Sequence, residues 1–129
     1  MSLIYSVTSI NVTSSDDELV TNMEIRQIIS AIMYELSGFQ RDMIYCIAAL
    51  DEPYGLEIGR ELEEYSSTEV NHGRLYPNLN QLVDEGLLRK EQKDDRTNLY
   101  TLTPLGKELI VERRQWEDDK LQATDLDLD

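Results

Sequence analysis

Residues 71–88 read NHGRLYPNLNQLVDEGLL, and this stretch decides how the rest of the chain is interpreted. Its aliphatic residues recur at the spacing of one helical face: Leu75, Leu79, Leu82 and Val83. Asn71 is a residue type that caps helices. Pro77 removes one backbone hydrogen bond and crowds the carbonyl of residue 73. Because residue 73 is glycine, the backbone can shift there, and we predict a helix over residues 71–85 that continues through the proline.

The segments around this helix complete an informative order of elements. Two helices are predicted before it, at about 39–50 and 54–65, each with its own apolar stripe. After it, the runs LLRKEQ and NLYTLT have strand composition around the turn KDDRT. Thr103 and Pro104 then begin another helix. Two helices followed by a two-stranded ribbon form a winged helix-turn-helix, so the predicted fold class is mainly α with a small β-hairpin.

An added helix precedes this domain. Thr21 and Glu24 are spaced as a capping box, and isoleucines at helical spacing follow them. The residues before Thr21 are rich in Ser and Thr with only weak alternation, so we expect a flexible arm rather than an extra strand. The predicted segments are the arm (1–20), an N-terminal helix (21–37), the winged helix-turn-helix domain (38–103), a long C-terminal helix (104–121) and an acidic tail (122–129).

Negative charge dominates the chain but is unevenly distributed. The net charge is -14, from 26 acidic and 12 basic residues. Such a composition, with few lysines, is typical of proteins from very salty cytoplasms, and an ordinary acidic protein is the alternative. Residues 70–104 contain five basic and five acidic residues, so this segment sums to zero. The rest of the chain therefore carries the whole surplus.

Residue content disfavours several classes of protein. The single cysteine, Cys46, excludes an internal disulfide and a cysteine-based metal cage. We interpret it as a small, partly buried hydrophobic residue, with a redox sensor as the alternative. No apolar run reaches the ~18 residues of a membrane helix, and the N-terminus lacks a basic signal region, which predicts a cytoplasmic protein. The carboxylate clusters have no His or Cys partner, so we predict no enzyme, metal site or cofactor.

Three segments resemble the PadR family of winged-helix transcriptional regulators: YGLEIGRELEE, HGRLYPNLNQLVDEGLL and RTNLYTLTPLGKEL. The family pattern has counterparts at Gly55 to Leu62, Gly73 to Leu87 and Tyr100 to Gly106, with only the order of Tyr54 and Gly55 reversed. The acidity and the extra segment before Phe39 also depart from the family, and the combination is most similar to a haloarchaeal member. The resemblance implies a homodimer that binds a pseudo-palindromic operator in double-stranded DNA, with 104–121 as the dimerisation helix. It also implies that a small-molecule signal can act at the dimer interface.

Candidate DNA contacts lie on the predicted helix and on the hairpin. Arg, Asn and Gln can bond two atoms of one base edge, so Arg74 is the first candidate for base contact, with a phosphate contact or a solvent ion pair as the alternative. The helix start favours phosphate. Arg96 is the candidate for entering the minor groove, with a solvated hairpin in which Arg96 pairs with Asp94 and Asp95 as the alternative. The predicted set is Asn71, His72, Arg74, Tyr76, Asn80, Gln81, Lys90, Lys93, Arg96, Thr97 and Asn98.

The two end helices carry more apolar surface than one small core needs, which supports a dimer. The predicted interface residues are Ile25, Ile28, Ile32, Leu105, Leu109 and Trp116. A second hypothesis is a winged helix that binds a protein partner and not DNA, which the overall acidity favours. The neutral segment 70–104 favours DNA binding, because a protein-binding module has no reason to keep five cations on its helix and hairpin.

Overall fold

A computed structural model describes residues 15–128, which form five helices and one antiparallel hairpin. The elements are α1 (Ser15–Glu35), α2 (Gly38–Ala49), α3 (Gly55–Ser66), α4 (His72–Asp84), β1 (Leu88–Asp94), β2 (Thr97–Leu102) and α5 (Pro104–Leu121). This order confirms the predicted fold class, a mainly helical winged helix-turn-helix with added N- and C-terminal helices. Within the described residues, no helix is both long and apolar enough to cross a bilayer.

Helix α1 begins earlier than the sequence predicted. It starts at Ser15, so the backbone is already helical at Thr21, and the predicted N-cap there is wrong. Three acidic residues follow Ser15, and the partial positive charge of a helix N-terminus favours acidic residues. The Thr–Glu spacing is the same inside a helix as at its start, which misled the prediction. Residues 15–20 are therefore helical rather than part of an arm, and residues 1–14 lie outside the described part.

One hydrophobic core joins all the described elements. Helix α4 contributes its predicted apolar face, with Leu75, Leu79 and Leu82 fully buried. The hairpin is anchored by Leu88 and Tyr100, which are also buried. The other members are Ile29, Ile32, Met33, Leu36, Met43, Ile44, Ile47, Ile58, Leu62, Leu87 and Leu109. The outward face of α4 is therefore presented by a rigid support.

A compact joint fixes the hairpin to α5. The hydroxyl of Thr103 accepts a hydrogen bond from the Gly106 N–H at 3.1 Å, which confirms the predicted N-cap. The same hydroxyl donates to the carbonyl oxygen of Gly86 at 2.6 Å. The Thr103 N–H donates to the carbonyl oxygen of Leu87 at 3.1 Å. The sequence Thr-x-x-Gly thus ties the two ends of the hairpin to the start of α5.

Helix α1 packs along α5 of the same chain, and this packing involves two residues of the predicted dimer interface. An ion pair joins the two helices, with Arg26 Nε 3.1 Å from Glu112 Oε1. Ile32 is 7% exposed and Leu109 is 0% exposed, so both pack within their own chain and this packing does not support them as interface residues. The sequence showed an apolar stripe on each helix but could not show that the stripes cover one another.

The other predicted interface residues keep some surface. Ile25, Ile28 and Leu105 are partly buried against the core. Trp116 on α5 is 50% exposed, and two cations of its own helix, Arg113 and Lys120, lie over its ring. Met23 on α1 is also exposed, and it lines one groove with Trp116. A strip of the α1–α5 layer that carries these two apolar side chains among polar and charged ones therefore remains open.

Candidate nucleic-acid interface

Five of the eleven predicted contact residues lie on α4. His72, Arg74, Asn80 and Gln81 are exposed, and Tyr76 is half-buried. Their exposure follows from the opposite face of the helix being buried in the core. The structure thus presents these side chains on a fixed helix, as sequence periodicity predicted.

The start of α4 is capped by its own side chain. Asn71 Oδ1 accepts a hydrogen bond from the Gly73 N–H at 2.6 Å, as predicted for an N-cap. That oxygen is therefore committed to the helix start, which leaves the side-chain amide nitrogen for a ligand. The next residue, His72, packs its ring edge against Tyr76, with the ring centroids 5.9 Å apart.

Arg74 does not project freely into solvent. Its guanidinium carbon lies 3.9 Å from the centroid of the Phe39 ring, near the start of α2. A cation at this distance over a ring face is attracted by the ring's negative quadrupole. The sequence alone did not identify Phe39 as part of the site, because no local pattern indicates contact between residues so far apart in the chain.

Asn78 and Gln40 form a second connection between α2 and α4 that the sequence prediction missed. Gln40 Nε2 donates to Asn78 Oδ1 at 3.0 Å, and Asn78 Nδ2 donates to the Arg74 carbonyl oxygen at 2.7 Å. Gln40 also closes a capping box with Ser37, in which each side chain bonds the other's backbone N–H at 3.1 Å. The spacing Ser-x-x-Gln was an available signal for this box.

Tyr76 packs against the start of α3. A Cβ on Gly55 would lie 2.7 Å from Tyr76 Cε1, so only glycine allows the tyrosine ring this close without a shift. Tyr76 then forms one wall of a cleft between α3 and the hairpin. The other polar lining residues include Tyr54, Arg60, Arg96 and Asn98. Arg60 was not predicted as a contact residue, because the other cations were identified within the neutral segment 70–104 and Arg60 lies outside it.

The hairpin and α4 are joined by one polar contact. Lys90 Nζ donates to Asn80 Oδ1 at 3.3 Å, so these two predicted residues lie side by side. Gln81 is engaged differently, because its side-chain nitrogen lies 3.4 Å from a carboxylate oxygen of Glu85 on the same helix. The contact surface is therefore continuous from the helix to the first strand of the hairpin.

The hairpin tip mixes cations with carboxylates. Lys93 and Arg96 are exposed, and Thr97 and Asn98 are half-buried. Asp94 Oδ1 accepts a hydrogen bond from the Arg96 N–H at 2.9 Å. This backbone bond, followed by bonds from Thr97, holds the pKa of Asp94 below its usual range. Asp94 therefore stays ionised and adds a negative charge beside Arg96.

The described residues contain neither a set of metal ligands nor an ionised cysteine thiol. No group of His, Cys, Asp and Glu side chains within residues 15–128 is arranged to hold a metal ion. Cys46 is partly buried, and burial, with Glu61 and Asp42 nearby, raises the pKa of its thiol to about 11. The thiol is therefore protonated at neutral pH. Only the thiolate form of cysteine is a strong nucleophile.

Comparison with known proteins agrees with this geometry. The family model described as "Transcriptional regulator PadR-like family" matches residues 43–112. RosR from H. salinarum is 46% identical with a TM-score of 0.67, and the match covers 70% of this chain and 81% of that one. A structure described as the complex of hsRosR with S4 is 43% identical with a TM-score of 0.71, covering 74% of this chain and 83% of that one.

More distant structures share the fold. A DNA complex of MepR from S. aureus is 15% identical with a TM-score of 0.57, and the match covers 92% of this chain and 87% of that one. At this identity the likeness concerns the arrangement of helices and hairpin alone. No curated protein sequence matches this chain.

Proposed function

Because this chain belongs to the PadR-like family of transcriptional regulators, we propose that it acts as a homodimer on a pseudo-palindromic operator in double-stranded DNA. The family makes the chain a regulator of transcription rather than an enzyme. One observation carries the proposal: the exposed cations and amides of α4 and the hairpin form one surface, joined through Lys90 and Asn80. That surface belongs to a neutral segment in a chain of net charge -14.

The residues of this surface have distinct proposed roles. Arg74, Asn80 and Gln81 contact base edges in the major groove, where their donor and acceptor geometry fits guanine and adenine. Asn71 and His72 lie at the start of α4 and contact phosphate together with the backbone N–H groups there. Tyr76 contributes its hydroxyl at the edge of the same surface. The hairpin contacts the flanking backbone or minor groove through Lys90, Lys93, Arg96, Thr97 and Asn98.

The dimer is proposed to form on the open strip of the α1–α5 layer. Trp116 and Met23 are exposed there, and large apolar side chains of this kind anchor protein interfaces. Ile25, Ile28 and Leu105, which are partly buried against the core, are the other proposed interface residues. To place its two α4 helices in successive major grooves on one side of the duplex, such a dimer must hold them about 34 Å apart.

DNA binding is tested by fluorescence-anisotropy titration against genomic DNA fragments at high salt. We expect the full chain to bind some fragments in preference to others, and Arg74→Ala to reduce that preference by roughly tenfold or more, the range of one bidentate base contact. Arg114→Ala is the matched control, because it removes the same charge from α5, where Arg114 pairs with Asp118. If no fragment is preferred, the alternative of a protein-binding winged helix replaces this proposal.

The dimer is tested by analytical ultracentrifugation of the full chain. We expect a dimer whose dissociation constant rises in Trp116→Ala, since removal of an interface anchor typically costs about 2 kcal/mol or more. Tyr65→Ala is the control, because Tyr65 is 78% exposed at the end of α3, away from the α1–α5 layer. A wild-type chain that sediments as a monomer at micromolar concentration would rule out this assembly.

A further inference from the structure

The start of α2 lies directly under the proposed base-reading residue. Phe39 is the second residue of α2 and is partly buried against the core. Its ring has the Arg74 guanidinium carbon 3.9 Å from the centroid. Phe39 is also the chain's one phenylalanine. An aromatic ring at this place attracts the Arg74 guanidinium electrostatically, which an aliphatic side chain would not do.

The neighbouring residue holds the backbone of the same turn. Gln40 is 5% exposed, and its amide nitrogen donates to Asn78 Oδ1 at 3.0 Å. Asn78 in turn donates to the carbonyl oxygen of Arg74 at 2.7 Å. Two consecutive residues of α2 therefore fix both the side chain and the main chain of Arg74.

This support is itself anchored to the preceding helix. Arg41 donates from Nε to the Met33 carbonyl oxygen at 3.0 Å and from a terminal nitrogen to the Tyr34 carbonyl oxygen at 2.9 Å. These carbonyls belong to the last turn of α1, and Ser37 caps α2 from the same corner. Phe39 consequently has little freedom to move away when Arg74 engages a ligand.

We propose that Phe39 is a positioning residue for base recognition, which holds the planar guanidinium of Arg74 before DNA arrives. A free arginine loses much rotamer freedom when its fork is fixed on a base, and prior stacking reduces that loss. The ring face attracts the cation, so the effect requires an aromatic residue and not only apolar volume. This inference rests on the proposed function, in which Arg74 contacts a base.

The test compares sequence discrimination in full-length variants. The probes are a duplex selected by the wild-type chain from a randomised library and a scrambled duplex of the same composition. Phe39→Leu should lower the ratio of the two affinities roughly two- to fivefold, the range of an exposed cation–π contact. Binding to the scrambled duplex should stay unchanged. Phe39→Tyr keeps the ring and should keep the wild-type ratio, and Phe39→Leu should add nothing in an Arg74→Ala background.

A structural readout separates positioning from folding. In NMR spectra of the free protein, ring-current shifts of the Arg74 side-chain protons should be present in wild type and Phe39→Tyr and absent in Phe39→Leu. Equal loss of affinity on both duplexes would mean a general structural role and would overturn the inference. Tighter specific binding by Phe39→Leu would also overturn it, because the ring would then be holding Arg74 away from DNA.

Failure of the inference can be distinguished from failure of the proposed function. If Arg74→Ala lowers discrimination but Phe39→Leu does not, only the role of Phe39 is lost. If the wild-type chain selects no sequence, or Arg74→Ala leaves discrimination unchanged, base contact by Arg74 is wrong and the inference falls with it.

Discussion

At the scale of single residues, two glycines set the distances between elements, and they differ in what surrounds them. A Cβ on Gly55 would meet the ring of Tyr76, a side chain that can turn aside. A Cβ on Gly106 would overlap the carbonyl oxygen of Leu87, a backbone atom held by its own hydrogen bond to Thr103. The requirement for glycine is therefore stricter at residue 106.

Gly106→Ala should lower the free energy of unfolding by about 1 to 3 kcal/mol, the range for forcing an extra carbon into a packed site. The control is Gly38→Ala in the first turn of α2, where an added Cβ meets nothing within 4 Å. That control should be neutral or stabilise by up to about 1 kcal/mol, since alanine restricts the unfolded chain. Urea denaturation at constant high salt measures both, and equal midpoints for Gly106→Ala and wild type would contradict the packing argument.

Cys46 illustrates how burial controls the chemistry of one side chain. Because its pKa is raised to about 11, half of the thiol is ionised only near that pH, and the thiolate fraction is very small at pH 8. Alkylation of the folded chain by iodoacetamide at pH 8 should therefore be slower than in the urea-unfolded chain by on the order of a hundredfold. The same thiol serves as its own control.

A redox role for Cys46 can be tested on the same chain. Cys46→Ala should leave DNA binding and any response to oxidant unchanged, because a protonated, partly buried thiol is a poor target for oxidants. If the alkylation rate were half-maximal at a pH near the usual thiol pKa, or if the variant lost an oxidant response, a role of Cys46 as a redox sensor would be supported instead.

At the scale of elements, α4 continues through Pro77 and carries an additional side-chain bond beside it. The proline cannot donate to the carbonyl of Gly73, yet the helix continues without a break from His72 to Asp84. Asn78, the next residue, donates its side-chain amide to the carbonyl of Arg74 in the same region. The buried Gln40 completes this arrangement from α2.

Asn78→Ala should lower the free energy of unfolding by about 1 to 3 kcal/mol, because it leaves the Gln40 amide buried without its partner. Asn80→Ala is the matched control on the same helix. Asn80 is exposed and makes only the 3.3 Å contact to Lys90, so its loss should change stability by less than about 0.5 kcal/mol. Thermal denaturation of both variants measures these losses in the free energy of unfolding. Similar losses for the two variants would contradict the structural role assigned to Asn78.

Several features with local signals were predicted correctly, although the equally local Thr21–Glu24 spacing was misread as a helix start. The apolar face of α4, its Asn71 cap and the Thr103 cap of α5 follow from spacing within one turn or a few, and the structure confirms them. Contacts between helices have no such signal. Phe39 under Arg74 and the mutual burial of α1 and α5 both depend on how distant segments pack, which periodicity in a single sequence does not encode.

At the scale of the whole molecule, the distribution of charge determines how salt affects binding. The cations of α4 and the hairpin release counterions from DNA, which weakens binding as salt rises. The body carries the surplus of the -14 charge, and its repulsion of DNA is screened as salt rises. Counterion release and the screening of repulsion change the affinity in opposite directions as salt rises, so they partly cancel in this protein. A basic regulator has no acidic body to repel DNA, so no such cancellation occurs there.

We therefore predict a plot of log K against log salt that is shallower than the slope near -10 of a regulator with many phosphate contacts. Anisotropy titrations between about 0.1 M and 1 M salt cover the range in which the Debye length falls from about 10 to 3 Å. Replacing two exposed carboxylates of α1, in Glu24→Gln/Glu35→Gln, removes repulsion that matters mainly at low salt. This variant should bind DNA more tightly than wild type at low salt, converge with it at high salt, and so show a steeper slope. A wild-type slope between about -6 and -10, or parallel lines for the two proteins, would show that the acidic body does not offset counterion release.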